Sequence, residues 1–471
     1  MNGAWLLHEV LNGLQLIERE LLLFAAFWFI ISALDEVAID LSWIWLRLTG
    51  RVGDRRLTPQ EAGGPLRGRT AVFVPAWREA RVVGQTIGHM LRAWPQRDLT
   101  LYIGCYRNDP ETIAAAMAAA ASDGRVRVVI HDRDGPTTKA DCLNRLYGAL
   151  ASDEERRRWK FASVVLHDAE DMVHPAALAV IDQALADSDF AQLPVRPEPD
   201  PASRWVSGHY ADEFAEAHAK TLVVRDAVGA AIPAAGVGCG FSRAALERLC
   251  ERRGGAGGDG PFAAECLTED YELGLLISAG GAKSSFVRVR DHLGQLVATR
   301  AFFPTAIEAS VRQKSRWVHG IALQGWDRLG WSGRTVDLWM SLRDRRGPLT
   351  ALVLAAAYGL LAIEAILGVA RLAGWEHHLA LSPLLRAMLV VSFASFVWRA
   401  LCRAWFTGRE YGLAEGLLSV LRIPVANVIA IMASRRAFAA YVATLRGQAV
   451  HWEKTQHHDH PATDEGRMPA R

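Results

Sequence analysis

Hydrophobic and polar positions divide the chain into three parts. Charged residues are dense between positions 50 and 348, whereas much of 21–46 and 349–433 is apolar. An apolar stretch of about 20 residues is long enough to cross a bilayer as a helix. The pattern predicts a soluble domain between membrane helices, followed by a disordered tail. The predicted parts are 1–50, 51–330, 331–450 and 451–471.

Two of the apolar runs predict a helical hairpin in the membrane. Residues 349–370 carry one charge, Glu364, and 379–398 follows after a polar turn at 376–378. The run at 21–46 is also strongly apolar, but it contains three acids. Because a charge at mid-span is costly, this helix either packs its acids against protein or tilts into the interface. The three acids are Asp35, Glu36 and Asp40.

A fourth apolar run, 411–433, is interrupted by Arg422 and Pro424. A re-entrant or interfacial helix pair is as consistent with this sequence as a clean span. Basic residues flank every run, and they favour a cytoplasmic soluble domain if 411–433 does not cross. The flanking residues are Arg47, Arg51, Arg55, Arg56, Arg343, Arg345, Arg346, Arg399, Arg403, Arg409, Arg435 and Arg436.

The soluble part begins with strands that alternate with helical patterns. Apolar, β-branched runs are predicted as strands at 70–75, 99–103, 126–130 and 161–166. This alternation predicts a parallel α/β sheet of Rossmann-like type, whose ligands gather at the carboxyl ends of the strands. The polar or turn residues at those ends are Pro75, Asp109, His131 and Asp168.

Acidic residues follow the fourth predicted strand. Asp168 and Glu170 lie two positions apart, so both carboxylates can point the same way. They suit a hard cation such as Mg²⁺ or Mn²⁺ that bridges diphosphate oxygens, and Asp171 could replace either ligand. An acidic loop that caps a helix is the alternative interpretation.

Thr268-Glu269-Asp270 precedes an apolar run and resembles a helix start, with Thr268 as a cap. Asp270 is placed to accept a proton from a hydroxyl nucleophile as a general base, or it is a plain capping acid. Gln313, Arg316 and Trp317 follow in an amphipathic segment, 304–324. An arginine can neutralise a diphosphate and an indole can stack on a sugar, but a membrane-surface helix has the same pattern.

Two further segments are candidate ligand contacts. Lys139 could contact a phosphate, and the glycine-rich 236–240 could let the backbone approach a ligand closely. The latter lacks the Gly-x-Gly-x-x-Gly spacing of dinucleotide sites, which argues against a dehydrogenase. The glycine-rich 254–260 is either a mobile flap or a surface loop.

Composition excludes several classes of protein. The net charge is +2, so no nucleic-acid partner is expected. The six cysteines have neither disulfide-framework nor zinc-site spacing, which suits a reducing compartment. Residues 1–20 lack a basic leader and a cleavage site, so we expect no removable signal peptide.

Six ordered motifs across 70–320 resemble the membrane-bound family 2 glycosyltransferases. This group includes cellulose and hyaluronan synthases, and the closest resemblance is to the NfrB-like bacteriophage-adsorption glycosyltransferases. The motifs are VPAWRE (74–79), KADCLN (139–144), HDAED (167–171), GVGCGFSR (236–243), TED (268–270) and QKSRW (313–317).

The resemblance implies a GT-A fold and inverting transfer from a UDP-sugar. Asp168 and Glu170 would hold Mg²⁺ or Mn²⁺, and Asp270 would be the base. The usual Asp-x-Asp is Asp-x-Glu here, so Asp171 stays open as the second ligand. No C-terminal cyclic-di-GMP-binding domain is expected. The residues that would contact nucleotide, diphosphate and acceptor are Pro75, Glu79, Asp109, Lys139, Asp168, Glu269, Gln313, Arg316 and Trp317.

These motifs predict a multi-pass inner-membrane enzyme with a cytoplasmic catalytic domain that extends a surface glycan. Its partners would be a UDP-sugar, a glycan or lipid-linked acceptor, membrane lipids and an export partner. One alternative is transfer of a single sugar to a lipid carrier. Another is a non-catalytic membrane scaffold or phage-entry partner.

Overall fold

The computed structural model describes residues 3–254, 260–331, 333–375, 381–448 and 461. The predicted polar turn at 376–378 lies outside the described residues, as does the predicted disordered tail except for residue 461. Of the glycine-rich 254–260, only the two end residues are described.

A seven-stranded sheet in the order β3-β2-β1-β4-β7-β5-β8 forms the centre of the soluble part, and β6 pairs with β9 in a small second sheet. The strands are β1 Thr70–Pro75, β2 Leu99–Tyr106, β3 Val126–His131, β4 Ser163–Leu166, β5 Phe190–Gln192, β6 Val195–Glu198, β7 Cys239–Ser242, β8 Ser284–Phe286 and β9 Thr299–Phe302. The α/β prediction is confirmed. The sheet is mostly parallel, and β7 runs antiparallel to both of its neighbours.

Helices cover both faces of the sheet and continue into long apolar segments. They are α1 Gly3–Leu48, α2 Pro59–Gly63, α3 Val83–Ala93, α4 Pro110–Ala120, α5 Lys139–Arg157, α6 Ala177–Ala184, α7 Ser207–Glu216, α8 Leu222–Ala227, α9 Arg243–Arg252, α10 Glu269–Ala279, α11 Ile307–Trp317, α12 Gly325–Leu329, α13 Thr335–Arg345, α14 Gly347–Leu372, α15 Pro383–Tyr411, α16 Leu413–Leu421 and α17 Ile423–Leu445. Two π-helical segments, Ala217–Thr221 and Val318–Gln324, follow α7 and α11.

The central strands are apolar on both faces because each face packs against helices. All residues of β4 are buried, as are five of the six in β1. One hydrophobic core includes Phe73 and Phe241, and the other includes Val72 and Trp94 on the opposite face. Strands buried on both sides are continuous apolar runs rather than alternating ones, which is why the first four were visible in the sequence.

The antiparallel strand β7 brings a glycine-rich segment to the ligand-binding edge. Leu166, at the carboxyl end of β4, pairs with Cys239, the first residue of β7. Because the two strands run in opposite directions, residues before Cys239 lie at the same edge as those after Leu166. The sheet therefore places the segment from Gly236 beside the acids that start at Asp168.

The acids of α1 pack against protein, which is one of the two arrangements expected for them. Asp35 accepts a hydrogen bond from Trp339 Nε1 at 2.7 Å and pairs with Arg343 and Arg346. Glu36 pairs with the same two arginines and with Arg399 of α15. These contacts join α1 to the arginines that precede α14 and to α15, all at one level.

A second buried group of charges connects α1 with the soluble part of the chain. Lys220, in the first π-helical segment, is 1% exposed and pairs with Asp40 and with Glu216. Asp40 also accepts a bond of 2.7 Å from Trp398 Nε1 in α15. Burying an ammonium ion is costly unless its charge is paired, so this cluster requires all of its members.

Within the described residues, four helices are long and apolar enough to cross a membrane, judged by length and composition: α1, α14, α15 and α17. The predicted interruption of 411–433 is present, because α16 ends at Leu421 and α17 begins at Ile423. Helix α17 extends beyond this apolar run and ends at Leu445.

Both ends of α17 are attached to the soluble part of the chain. Arg422, immediately before it, is fully buried and pairs with Asp212 of α7 at 2.9 Å. Near the other end, Tyr441 Oη donates to Asp327 of α12 at 2.7 Å. Between them α17 packs along α11 and the second π-helical segment. Because it is attached near both ends, α17 packs along the soluble part of the chain over most of its length.

We predict that Lys220→Met lowers the free energy of unfolding by about 3–5 kcal/mol, because it leaves buried carboxylates without their cation. Thermal and denaturant unfolding of the detergent-solubilised protein measure this. The matched control is Lys160→Met, which breaks a solvent-exposed pair with Glu247 and should cost at most about 1 kcal/mol. Equal losses in the two variants would contradict the prediction.

Candidate active site

One pocket of about 390 Å³ lies at the carboxyl edge of the central sheet. Of the residues predicted for the site, all except Asp109 line it, although they come from five separate parts of the chain. The predicted residues that line it are Pro75, Glu79, Lys139, Asp168, Glu170, Glu269, Asp270, Gln313, Arg316 and Trp317.

Lys139 lies at the centre of the acidic part of the pocket. It is the first residue of α5, whose start is fixed by a capping box between Thr138 and Asp141. Its ammonium group pairs with Asp168 and lies 3.4 Å from the carbonyl oxygen of Gly236, to which it donates. The sequence predicted Lys139 as a phosphate contact, and here it bonds a carboxylate and a backbone carbonyl.

The charges around Lys139 reinforce one another. Burial works against its positive charge, but Asp168, Glu269 and Asp270 outweigh that effect and raise the pKa of Lys139. Burial raises the pKa of Asp270, and the nearby Lys139 ammonium opposes this rise. The pocket thus contains a firmly charged cation beside a carboxylate that holds a proton more readily than an exposed aspartate does.

Gly236 allows Lys139 and Asp270 to approach each other. Its φ is +73°, in the left-handed region that favours glycine. A Cβ atom at this position would lie 2.5 Å from Asp270 Oδ2 and 3.2 Å from Lys139 Nζ. No larger residue fits there without moving the acid, so the close approach predicted for 236–240 occurs within the protein itself.

The acids after β4 form a tight turn in which one carboxylate is structural. Asp171 Oδ2 lies 2.8 Å from Nδ1 of the buried His167 and accepts a bond of 2.9 Å from the Asp168 amide. Burial raises the pKa of Asp171, and the bond to His167 acts against that rise. Asp171 also lines the pocket, but its carboxylate supports the turn, whereas Asp168 and Glu170 are only partly buried.

The carboxylates of this turn fit a hard divalent cation that takes its remaining ligands from a diphosphate and water. The described residues contain no group of three or more His, Cys, Asp or Glu side chains arranged to hold a metal. Mg²⁺ sites of nucleotide enzymes use one or two carboxylates and complete their shell with phosphate oxygens and water. Asp168 and Glu170 could supply those carboxylates.

The predicted helix start at 268–270 is observed, but the predicted cap is not. Thr268 occupies the N-cap position of α10, and its side chain makes no capping bond. Its hydroxyl faces Gly320, which has no side chain to obstruct it. Burial and the adjacent Asp270 raise the pKa of Glu269 to about 7, so the pair carries less negative charge than two exposed acids would.

Lys314 attaches α11 to α7 and sets the orientation of the predicted residues on α11. Its ammonium group lies 2.6 Å from both carboxylate oxygens of Glu213 and 5.0 Å from the ring centroid of Tyr210. Lys314 thereby faces α7, while Gln313, Arg316 and Trp317 line the pocket. The helix is thus both a pocket wall and, through α17, a neighbour of the apolar helices.

Asp109 does not line the pocket. Its carboxylate caps α4 through the Thr112 amide and accepts a bond of 2.6 Å from the amide of Arg78. Arg78 has a φ of +54°, so this bond supports a turn that is otherwise unfavourable. Asp109 consequently fixes the backbone next to Glu79 rather than facing the pocket.

Several lining residues were not identified from the sequence. Trp77 and Tyr106 line the same pocket with ring centroids 5.0 Å apart, next to the predicted nucleotide residues. Gln192 bonds the backbone of Ala235 and Val237, and so holds the loop around Gly236. Trp77 and Tyr106 were detectable in principle, because they follow or end predicted strands; Gln192 lies in a strand too short for any periodicity.

Among solved structures, the chain is similar to the mannosyltransferase PcManGT from Pyrobaculum calidifontis in complex with GDP-Man and Mn²⁺. The two share 16% identity with a TM-score of 0.48, over 88% of this chain and 99% of that chain.

Curated relatives are more similar in sequence. Bacteriophage adsorption protein B of Escherichia coli K12 is 33% identical over 454 residues, as is bacteriophage N4 adsorption protein B of E. coli O157:H7. The alignments cover 91% of this chain and 60% of each relative, so the chain spans about three-fifths of their length. The model of the glycosyltransferase-like family 2 matches residues 67–320. The predicted GT-A-type fold and the predicted family are thereby confirmed, and the chain belongs to glycosyltransferase family 2.

Proposed function

We propose that this protein is a membrane-bound inverting glycosyltransferase that moves a sugar from a UDP-sugar to a growing surface glycan. The observation that carries the proposal is the convergence of Asp168, Glu170, Asp270 and Arg316 in one pocket at the sheet edge. The relatives named for bacteriophage adsorption support a product that reaches the cell surface.

In this proposal Asp270 removes the proton from the acceptor hydroxyl. Its raised pKa suits a general base that works near neutral pH, since it binds a proton more strongly than an exposed aspartate. Inversion at the sugar carbon requires a single in-line displacement, for which one base and a stabilised leaving group are sufficient.

The leaving diphosphate is stabilised by cations in the same proposal. A Mg²⁺ or Mn²⁺ ion held by Asp168 and Glu170 would neutralise the diphosphate charge that develops on bond cleavage. Arg316 of α11 supplies a positive charge to the same pocket, which Gln313 also lines. Trp77 and Tyr106 are placed to contact the uracil base, near Pro75 and Glu79, and Glu269 lies beside the base Asp270.

We further propose that the catalytic domain is cytoplasmic, with α1, α14 and α15 crossing the inner membrane and α17 in its cytoplasmic interface. The ion pairs of Asp35 with Arg346 and of Glu36 with Arg399 join the three helices at one level, which supports a common inner end. Arginines dominate this level, as expected for the cytoplasmic side. The two attachments of α17 to the catalytic domain support an in-plane helix.

We predict that Asp270→Asn lowers kcat for UDP release about 10²- to 10⁴-fold, because asparagine cannot accept the acceptor's proton. The measurement is UDP release by membrane vesicles supplied with a panel of UDP-sugars and Mn²⁺. Asp132→Asn, an exposed strand-end aspartate outside this pocket, serves as the control and should keep the wild-type rate. If the Asp270→Asn variant still binds UDP and its kcat is unchanged, Asp270 is not the general base.

We predict that Asp168→Asn weakens UDP binding in the presence of Mn²⁺ by at least about tenfold, because a metal ligand is lost. Calorimetric titration of the purified protein with UDP, with and without Mn²⁺, measures this without requiring turnover. Asp132→Asn should retain the Mn²⁺-dependent gain in affinity. If the wild-type protein binds UDP equally well in EDTA and in Mn²⁺, no metal held by Asp168 and Glu170 contributes to UDP binding.

We predict that a cysteine at position 435, on the exposed face of α17, reacts with a membrane-impermeant maleimide only from the cytoplasmic side. Arg435→Cys in inverted vesicles should be labelled, and the same variant in intact spheroplasts should not. Leu372→Cys, at the far end of α14 and 91% exposed, should show the opposite pattern. Labelling of both positions from the same side would contradict the proposed topology.

A further inference from the structure

One unbroken helical stretch carries a cation of the proposed mechanism and also contacts the segment that contains the base. Helix α11, the second π-helical segment and α12 follow one another without a gap over residues 307–329. Arg316, near the end of α11, lines the pocket. Residues further along the stretch bond to 265–272, which contains Asp270 and which we call the base segment. The stretch therefore connects Arg316 with the backbone around Asp270.

Gln324, the last residue of the π-helical segment, bonds the backbone of the base segment twice. Its Oε1 accepts a bond of 3.1 Å from the amide of Leu267, and its Nε2 donates a bond of 3.0 Å to the carbonyl oxygen of Glu265. An amide nitrogen needs an acceptor and a carbonyl oxygen needs a donor, so only one orientation of the carboxamide satisfies both. Gln324 thus fixes the backbone three residues before Asp270.

Contacts one turn before and one turn after this glutamine hold the same segment. A Cβ atom on Gly320 would overlap the hydroxyl of Thr268 and lie 3.0 Å from the Cβ atom of that threonine. Arg328 donates bonds of 2.7 and 2.8 Å to the buried carboxylate of Glu272, and one of 2.8 Å to Glu265. Residues four apart lie on neighbouring turns of one helix face, so three successive turns pack against the base segment.

We propose that Gln324 is a positioning residue, which fixes Asp270 relative to Arg316 by holding the base segment against the helical stretch. This inference rests on the proposed glycosyl transfer and adds a residue that does not line the pocket. In-line displacement requires the acceptor hydroxyl and the leaving diphosphate on opposite sides of the sugar carbon, so the base and the cation must keep a fixed separation. π-Helical turns are rare and occur often at functional sites, which agrees with this role.

The bonds of Gln324 predict a selective effect on the reaction. They attach to the base segment, whereas Asp168 and Glu170, which are proposed to hold the metal and UDP, follow β4. Loss of these bonds should therefore slow the chemical step and leave the affinity for UDP unchanged. A residue that only stabilised the fold would not separate these two quantities.

The test compares Gln324→Met with the wild-type, full-length protein. Methionine has a similar length, but it cannot make the two bonds to the base segment. We expect kcat for UDP release by membrane vesicles with Mn²⁺ and a panel of UDP-sugars to fall about tenfold, because the base is misplaced. The Kd for UDP in Mn²⁺, measured by calorimetry on the purified protein, should change less than about twofold. Amide hydrogen exchange in the base segment should become faster.

The matched control is Asn144→Leu, which removes the same kind of bond pair from another backbone position. Asn144 accepts a bond of 3.0 Å from the amide of Phe262 and donates one of 2.9 Å to its carbonyl oxygen. Phe262 is also held by its ring, which is 1% exposed and belongs to the hydrophobic core. This variant should keep the wild-type kcat, Kd for UDP and exchange rate of the base segment.

A second variant, Gly320→Ala, displaces the base segment without removing a hydrogen bond. Alanine favours a helix more than glycine does, so the helical stretch itself should not be weakened. The added methyl group would press on Thr268, and we expect kcat to fall at least about tenfold with the Kd for UDP unchanged. Its control is Gly148→Ala in α5, where an added Cβ atom would meet nothing within 4 Å and kcat should stay at the wild-type value.

Three outcomes would overturn the inference, and they differ in what they say about the proposed function. If the wild-type protein releases no UDP from any donor, the proposed function fails and this inference fails with it. If the wild-type protein is active but Gln324→Met and Gly320→Ala keep its kcat, only the positioning role is wrong. If Gln324→Met lowers kcat and UDP affinity by the same factor, Gln324 supports the fold as a whole rather than the position of Asp270.

Discussion

The pairing of the buried Lys139 ammonium with the surrounding acids holds the site together. Lys139 starts α5, bonds Asp168 after β4 and donates to the carbonyl of Gly236 before β7. Asp270, from a fourth part of the chain, lies within its electrostatic reach. Without this cation several carboxylates would face one another in a partly desolvated pocket, at a large cost in free energy. The motifs converge because their charges require it.

Features that depend on neighbouring residues in the sequence were predictable, whereas features that depend on contacts between distant residues were not. Strand ends were predictable because β1 and β4 are apolar on both faces, and this placed Pro75 and Asp168 correctly at the pocket. The start of α10 was visible from local signals, but the bonding of Asp171 to His167 was not, because it depends on burial. Strands of three residues, such as Phe190–Gln192, exist only through pairing with distant partners and carry no period of their own.

The junction between the catalytic domain and the apolar helices combines buried ion pairs with a hydrophobic cluster that includes Ile39 of α1, Val224 of α8 and Met340 of α13. Asp35 and Glu36 bind the arginines before α14, and Lys220 binds Asp40. Ion pairs of this kind fix geometry, since each charge has few acceptable positions. The first π-helical segment carries both Lys220, facing the junction, and His218, facing the pocket. One short segment thus connects the apolar helices with the wall of the pocket.

The length of α1 extends the protein beyond the compartment in which its chemistry is proposed to occur. A helix of 46 residues is about 69 Å long, whereas the hydrocarbon core of a bilayer is about 30 Å thick. In the proposed topology Asp35 lies at the inner surface, so about 20 residues toward the N-terminus would fill the membrane and the preceding turns would stand outside it. Because the helix is continuous from Gly3 to Leu48, these outer turns are rigidly coupled to the catalytic domain. A force or a binding event on the outer turns of α1 would therefore act on the ion pairs that Asp35, Glu36 and Asp40 form with the rest of the protein.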